Sequence, residues 1–93
     1  MATLESRISV PEGVLFRDVE GEAVLLNTET GKYYGLDEVG TRMWTLLAEH
    51  GQVGPACRAL LDEYEVAEEQ LERDLFDLVD ELAVHGLLEV REG

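Results

Sequence analysis

The chain has 93 residues, 45% of them apolar, with 7 basic against 21 acidic side chains and a net charge of −14. That length is one domain with one modest core, and the apolar content excludes a disordered chain. The charge argues against the commonest role of a small helical domain, nucleic-acid binding, because phosphate contacts need Lys and Arg.

Residues 1–46 carry a net of −4 and residues 47–93 a net of −10, so the C-terminal half projects a field that attracts cations. The single cysteine, Cys57, excludes an internal disulfide and a cysteine-rich zinc site. Met1–Glu5 has neither a charged n-region nor an apolar h-region, and no apolar run approaches the ~18–20 residues of a membrane span, so a soluble cytoplasmic protein without a membrane partner is expected.

In chain order, residues 1–13 read as a loosely held lead-in ending at the Pro11-Glu12-Gly13 turn. Val14–Val19 and Glu22–Asn27 are rich in β-formers and are separated by Glu20-Gly21, which predicts a tight hairpin. Thr28–Gly31 is a second turn, and Lys32–Leu36 a third strand, giving an antiparallel meander over residues 14–36.

The period then changes to that of helices. Asp37 is a good N-cap, Glu38 suits the first turn, and Val39, Met43, Leu46, Leu47 and His50 share one face, closed by Gly51. A second helix holds Val53, Ala56, Cys57, Leu60, Leu61 and Tyr64, with Pro55 in its first turn. A third begins near Ala67 with the stripe Leu71, Leu75, Leu78, Val79 and Leu82. Gly86 caps it, and Leu87–Val90 forms a short closing strand or extended tail within residues 87–93. Strands then helices, with no strand–helix–strand repeat, mean one α+β domain over 1–93. It is like a winged helix-turn-helix with a three-stranded antiparallel sheet placed before the three helices of residues 37–86.

Nothing in the chain assembles a catalytic, metal or cofactor motif. Cys57 sits on an apolar stripe, His50 and His85 lie near helix ends, and no phosphate-loop string occurs, so neither an enzyme nor a cofactor is expected. Binding features are stronger. Lys32-Tyr33-Tyr34-Gly35 puts tyrosines on opposite faces of one strand, either bracing the sheet or flanking an edge open to an added peptide strand. On the third helix, Phe76 and Ala83 lie beside Val79, Arg73, Asp77 and Asp80 lie opposite the stripe, and Gln70, Asp74 and Glu81 border its other flank. Such a helix either binds an amphipathic, partly basic peptide or simply keeps the protein soluble.

The run Ala23–Asp37, with Thr30-Gly31, the aromatic pair Tyr33-Tyr34 and Leu36-Asp37 leading into a helix, resembles the PqqD-like family, named for a pyrroloquinoline quinone synthesis protein. Gly40 and Trp44 fit its small and bulky positions, and the similarity runs on through Leu60, Leu61, Tyr64, Val66, Leu71, Leu82, Gly86 and Leu87. The resemblance implies a RiPP recognition element, which holds the leader of a ribosomally made precursor peptide while partner enzymes modify the rest. It implies a leader strand between Lys32, Tyr33, Tyr34 and Gly35 on one side and Leu71, Asp74, Leu75 and Leu78, with Phe76 and Asp77, on the other. The implied partners are the precursor leader and a modifying enzyme: a radical-SAM enzyme, a leader peptidase or a cyclase. The open edge allows a monomer or a weak homodimer. The competing readings are a small adaptor subunit for a folded enzyme and a winged-helix DNA binder. The latter is opposed by Glu68, Glu69, Glu72, Asp74, Asp77, Asp80 and Glu81 facing a single Arg73.

Overall fold

A computed structural model describes residues 2–92. Eight elements follow in order: β1 (Arg7–Ser9), β2 (Val14–Val19), β3 (Glu22–Asn27), β4 (Tyr33–Gly35), α1 (Glu38–His50), α2 (Val53–Glu63), α3 (Glu68–Val84) and β5 (Glu89–Arg91). The architecture is α+β, with an antiparallel sheet in the order β2-β3-β4 and a separate β1-β5 ladder.

The predicted hairpin forms because Glu20 and Gly21 both take positive φ, 55° and 87°, the twist a two-residue connection needs, and the Asp18 Oδ1 accepts from the Gly21 N–H at 2.9 Å. It sets Val19 opposite Glu22 and Leu25 between Phe16 and Tyr34. Along β3 the pleat then sorts the faces: Ala23, Leu25 and Asn27 are buried, whereas Glu22 and Val24 are exposed. Phe16 stacks on Trp44 of α1 with ring centroids 6.3 Å apart. The Thr41 Oγ1 accepts the Ala23 N–H at 2.8 Å, so α1 finishes the ladder where β3 and β4 part.

The helices start and stop where expected. Asp37 Oδ1 accepts the Gly40 N–H at 2.7 Å, and Gly51 closes α1 with φ 68°. The buried face of α1 differs from the predicted one. Val39 and His50 are exposed, and Thr41 and Trp44 are buried instead, because the helix is clasped between the sheet and α2 rather than packed on one side. Leu47, Val53, Leu60, Leu75, Val79, Leu82 and Leu87 form the innermost core.

The segment expected to be a loose lead-in is structural. Arg7–Ser9 pairs antiparallel with Glu89–Arg91, and Ala2, Ser6 and Ile8 are buried. It also caps α2, whose N-cap residue Gln52 supplies no side-chain bond. Two of the N–H groups that a helix start leaves unpaired, those of Val53 and Gly54, donate to the Ser6 and Leu4 carbonyls at 3.1 and 2.9 Å. A side chain at Gly54 would sit 2.9 Å from the Leu4 carbonyl oxygen, so this approach requires glycine.

Cys57 faces the core at 3% exposure, and burial first, then the nearby Glu72 and Glu68 carboxylates, push its thiol above the usual range. A thiol held protonated and covered is a poor nucleophile. Cys57 will therefore resist a soluble aromatic disulfide reagent in the native protein and react fully in denaturant. Rapid native labelling, followed by absorbance, would show an accessible thiolate instead.

Candidate functional site

In an antiparallel pair, alternate residues bond the partner strand and the others point away from it. The Asn27 N–H donates to the Lys32 carbonyl at 2.8 Å, and the Leu36 N–H to the Ala23 carbonyl at 2.7 Å. With Leu25 opposite Tyr34, residues 32, 34 and 36 therefore turn their bonding groups toward β3. Tyr33 and Gly35 turn theirs outward, along an edge that no strand of the described residues covers. Four main-chain groups, two donors and two acceptors, stand in a row there.

Beside this edge lies a cleft of about 490 Å³ between β4, the start of α1 and the middle of α3. Tyr34, Leu36, Val39, Met43 and Leu78 give it apolar surface, and Asp37, Asp74, Asp77 and Glu81 line it with carboxylates. Gly35 and Gly40 complete the lining without side chains. Tyr34 faces inward beside Leu25, packs edge-on against His85 at 5.7 Å, and is half-buried. Burial, and then the Glu81 carboxylate, push its phenol above the ordinary value, so the hydroxyl keeps its proton at neutral pH. The His85 ring is itself set by its Nδ1, 2.8 Å from the Glu81 carbonyl oxygen.

The structure brings together some of the expected site residues and separates others. Tyr33, Tyr34 and Gly35 lie on the edge strand, and Lys32 is exposed just before it. Tyr33 is 73% exposed on the sheet's outer face, turned away from the cleft. Asp74, Asp77 and Leu78 are in the cleft wall. Leu71 and Leu75 are not: at 5% and 0% exposure they are core. Phe76 is not either; it turns to the far side of α3, into a groove with Ala2, Glu69, Arg73 and Asp80. The α3 sequence carries the distinction. Positions 74, 77, 78 and 81 make one helical stripe, and 69, 72, 73, 76 and 80 another, so Glu81 belongs with Asp74 and Phe76 does not. Val39, Gly40 and Met43 of α1 also belong to the site; the exposure of Val39 on an otherwise apolar face is explained by the cleft it lines.

Fold and cleft together define a small α+β domain organised around the open β4 edge and the cleft beside it. Residues 22–88 match the family model described as coenzyme PQQ synthesis protein D, and the chain belongs to this PqqD family. Among solved structures it is similar to TbiB1 in complex with the TbiA(beta) leader peptide, at 40% identity and a TM-score of 0.82 over 87% of this chain and 94% of that one. It is also similar to lasso peptide synthetase B1 complexed with the leader peptide, at 25% identity and a TM-score of 0.76 over 91% and 98%. No curated protein matches the chain.

Proposed function

We propose that this protein binds the leader segment of a ribosomally synthesised precursor peptide as an added strand along β4 and presents it to a modifying or processing enzyme. The observation that carries this reading is the outward row of N–H and C=O groups on Tyr33 and Gly35 beside a cleft that takes side chains. Main-chain bonds hold an extended guest with little sequence demand, and the cleft selects what every second side chain is. Both similar structures hold leader peptides, and one is a lasso peptide synthetase component, which favours a lasso-type pathway with a separate leader peptidase or cyclase over a radical-SAM partner. The chain acts as a binding module in the cytoplasm, monomeric or weakly paired through the same edge. Among the described residues no helix is long and apolar enough to cross a membrane.

A disordered leader loses entropy on ordering, so the affinity expected is micromolar to sub-micromolar, about −8 to −9 kcal/mol. Titrating the isotope-labelled protein with the leader of the precursor encoded beside its gene will shift the amides of residues 33–37, 39–43 and 74–81. Shifts gathered instead along β2 and α2 would place the guest at the other sheet edge and defeat this assignment.

A further inference from the structure

The described residues contain one salt bridge, Arg42 to Glu63, and neither residue lines the cleft. The cleft itself has an apolar floor and an unbalanced rim. Buried Leu36 and Met43 with half-buried Leu78 supply the floor; the exposed side chains of Asp37, Asp74, Asp77 and Glu81, with Val39, supply the rim, and no Lys or Arg lines it. Asp37 is engaged with the Gly40 N–H, Asp74 with the Gln70 Nε2 and Glu81 with the Tyr34 phenol, while among the described residues no Lys, Arg or His pairs with Asp77 or Glu81. A purely apolar guest would leave that charge facing charge-free surface. A guest with cations at the rim is the complementary one.

Geometry adds a spacing rule. Tyr34 lies on the inner face of the sheet with Leu25, and Tyr33 on the outer face with Leu26. A strand added beside β4 continues the pleat, so its residues at i and i+2 face the cleft while i+1 turns outward. We infer that the cleft selects an extended peptide carrying an apolar anchor with Lys or Arg two residues away on the same face, and discriminates against the same cations one residue away. This rests on the reading of β4 as the accepting edge and deepens it by giving the guest's chemistry and period.

The test uses the full chain and three synthetic fluorescein-labelled peptides of about ten residues, ordinary strand length. Each has one central leucine in a threonine background. The first has lysines two residues on either side of the leucine, the second has the same lysines one residue on either side, and the third has glutamates in place of the first one's lysines. At low salt the first is expected to bind about tenfold tighter than the second, the sum of two rim pairs, and the third weakest. The gap between first and second should narrow in roughly 0.5 M salt and in the Asp77→Asn/Glu81→Gln double variant, shown to be folded by circular dichroism. Equal binding of the first and second peptides, a gap that survives the double variant, or no binding by any of the three overturns the inference. If the precursor leader still shifts residues 33–37 in that event, the strand-addition reading stands and only the charge pattern fails; if the leader shifts nothing there, both fail.

Discussion

Replacing Gly35 with proline will abolish leader capture at micromolar protein and leave the domain folded. The ladder to β3 runs through residues 32, 34 and 36, so the Gly35 N–H contributes nothing to the sheet's own bonding. Proline removes that outward donor and puts its ring where the guest's carbonyl must approach. A proline is tolerated at an edge whose N–H faces solvent, and a Cβ at this position meets no atom within 4 Å, so the expected stability cost is under about 1 kcal/mol. The cost to binding is larger. A hydrogen bond is lost and a guest carbonyl is left without a partner, which together amount to about 2–4 kcal/mol, or roughly 30- to 1,000-fold in affinity. Gly35→Ala is the control: it keeps the N–H, its Cβ points to the outer face beside Val24, and it should bind within about threefold of the parent. Fluorescence anisotropy with the labelled leader gives the affinities, and thermal melts give the stabilities. Unimpaired binding by the proline variant would move the guest to the outer edge of β2, beside the cleft formed with Glu38, Arg42 and Tyr64.

What the sequence disclosed and withheld follows from the range of the interactions. The meander was legible because its turns are local: Glu20-Gly21 and Thr28–Gly31 carry their own conformational signals, and the Asp37 cap and Gly51 stop lie within a few residues of what they cap. The lead-in was not legible, because Arg7–Ser9 pairs with residues more than 75 positions away and the bonds from Val53 and Gly54 go to its carbonyls, which have no residue signature. The site was legible in half. Period alone places Tyr33 and Tyr34 on opposite faces and gathers Asp74 and Leu78 on one side of α3, but it does not say which flank of the helix meets β4. Period already separates Phe76 from Asp74; only the family resemblance draws Phe76 into the wall, and it draws in Leu71 and Leu75, which are the layer beneath it. The contribution of α1 was hidden by its own apolarity: Val39 reads as core until the neighbouring strand leaves it uncovered.

One buried side chain ties the turn before β4 to the end of α3, and changing it should have the second large effect. Asn27 is 6% exposed at the end of β3. Its Oδ1 accepts the N–H groups of Glu29 and Thr30 at 2.9 and 3.2 Å, shaping the turn into β4, while its Nδ2 donates to the Gly86 carbonyl at 2.8 Å, tying that turn to the end of α3. Gly86 is held to glycine twice over, by φ 72° and because a Cβ would lie 3.2 Å from this Nδ2. Asn27→Ala removes all three bonds, whose partners are exposed at Glu29 and Thr30 and half-buried at Gly86, an expected loss of about 1–3 kcal/mol from a domain of ordinary marginal stability. Asn27→Asp separates the two jobs. It keeps the acceptor for the turn but loses the donor and sets a carboxylate against the Gly86 carbonyl. The Glu29 and Thr30 N–H groups favour the carboxylate, but the protonated acid keeps those two bonds through Oδ1 and adds one from its own O–H to the Gly86 carbonyl, so at this buried position the variant's folded-state pKa is expected to rise above its unfolded value. Protons then bind the folded state more tightly, and the deficit relative to the parent shrinks as pH falls through that pKa and is full at neutral pH. Urea unfolding of parent, Ala and Asp chains at neutral and acidic pH measures this directly. Leader affinity should fall in both variants at neutral pH although Asn27 lines no part of the cleft, because the strand carrying the edge and the helix carrying the wall lose their shared anchor. A deficit in the Asp chain that does not change with pH, or leader affinity equal to the parent's in both, would show that the Asn27–Gly86 bond does not set the width of the cleft.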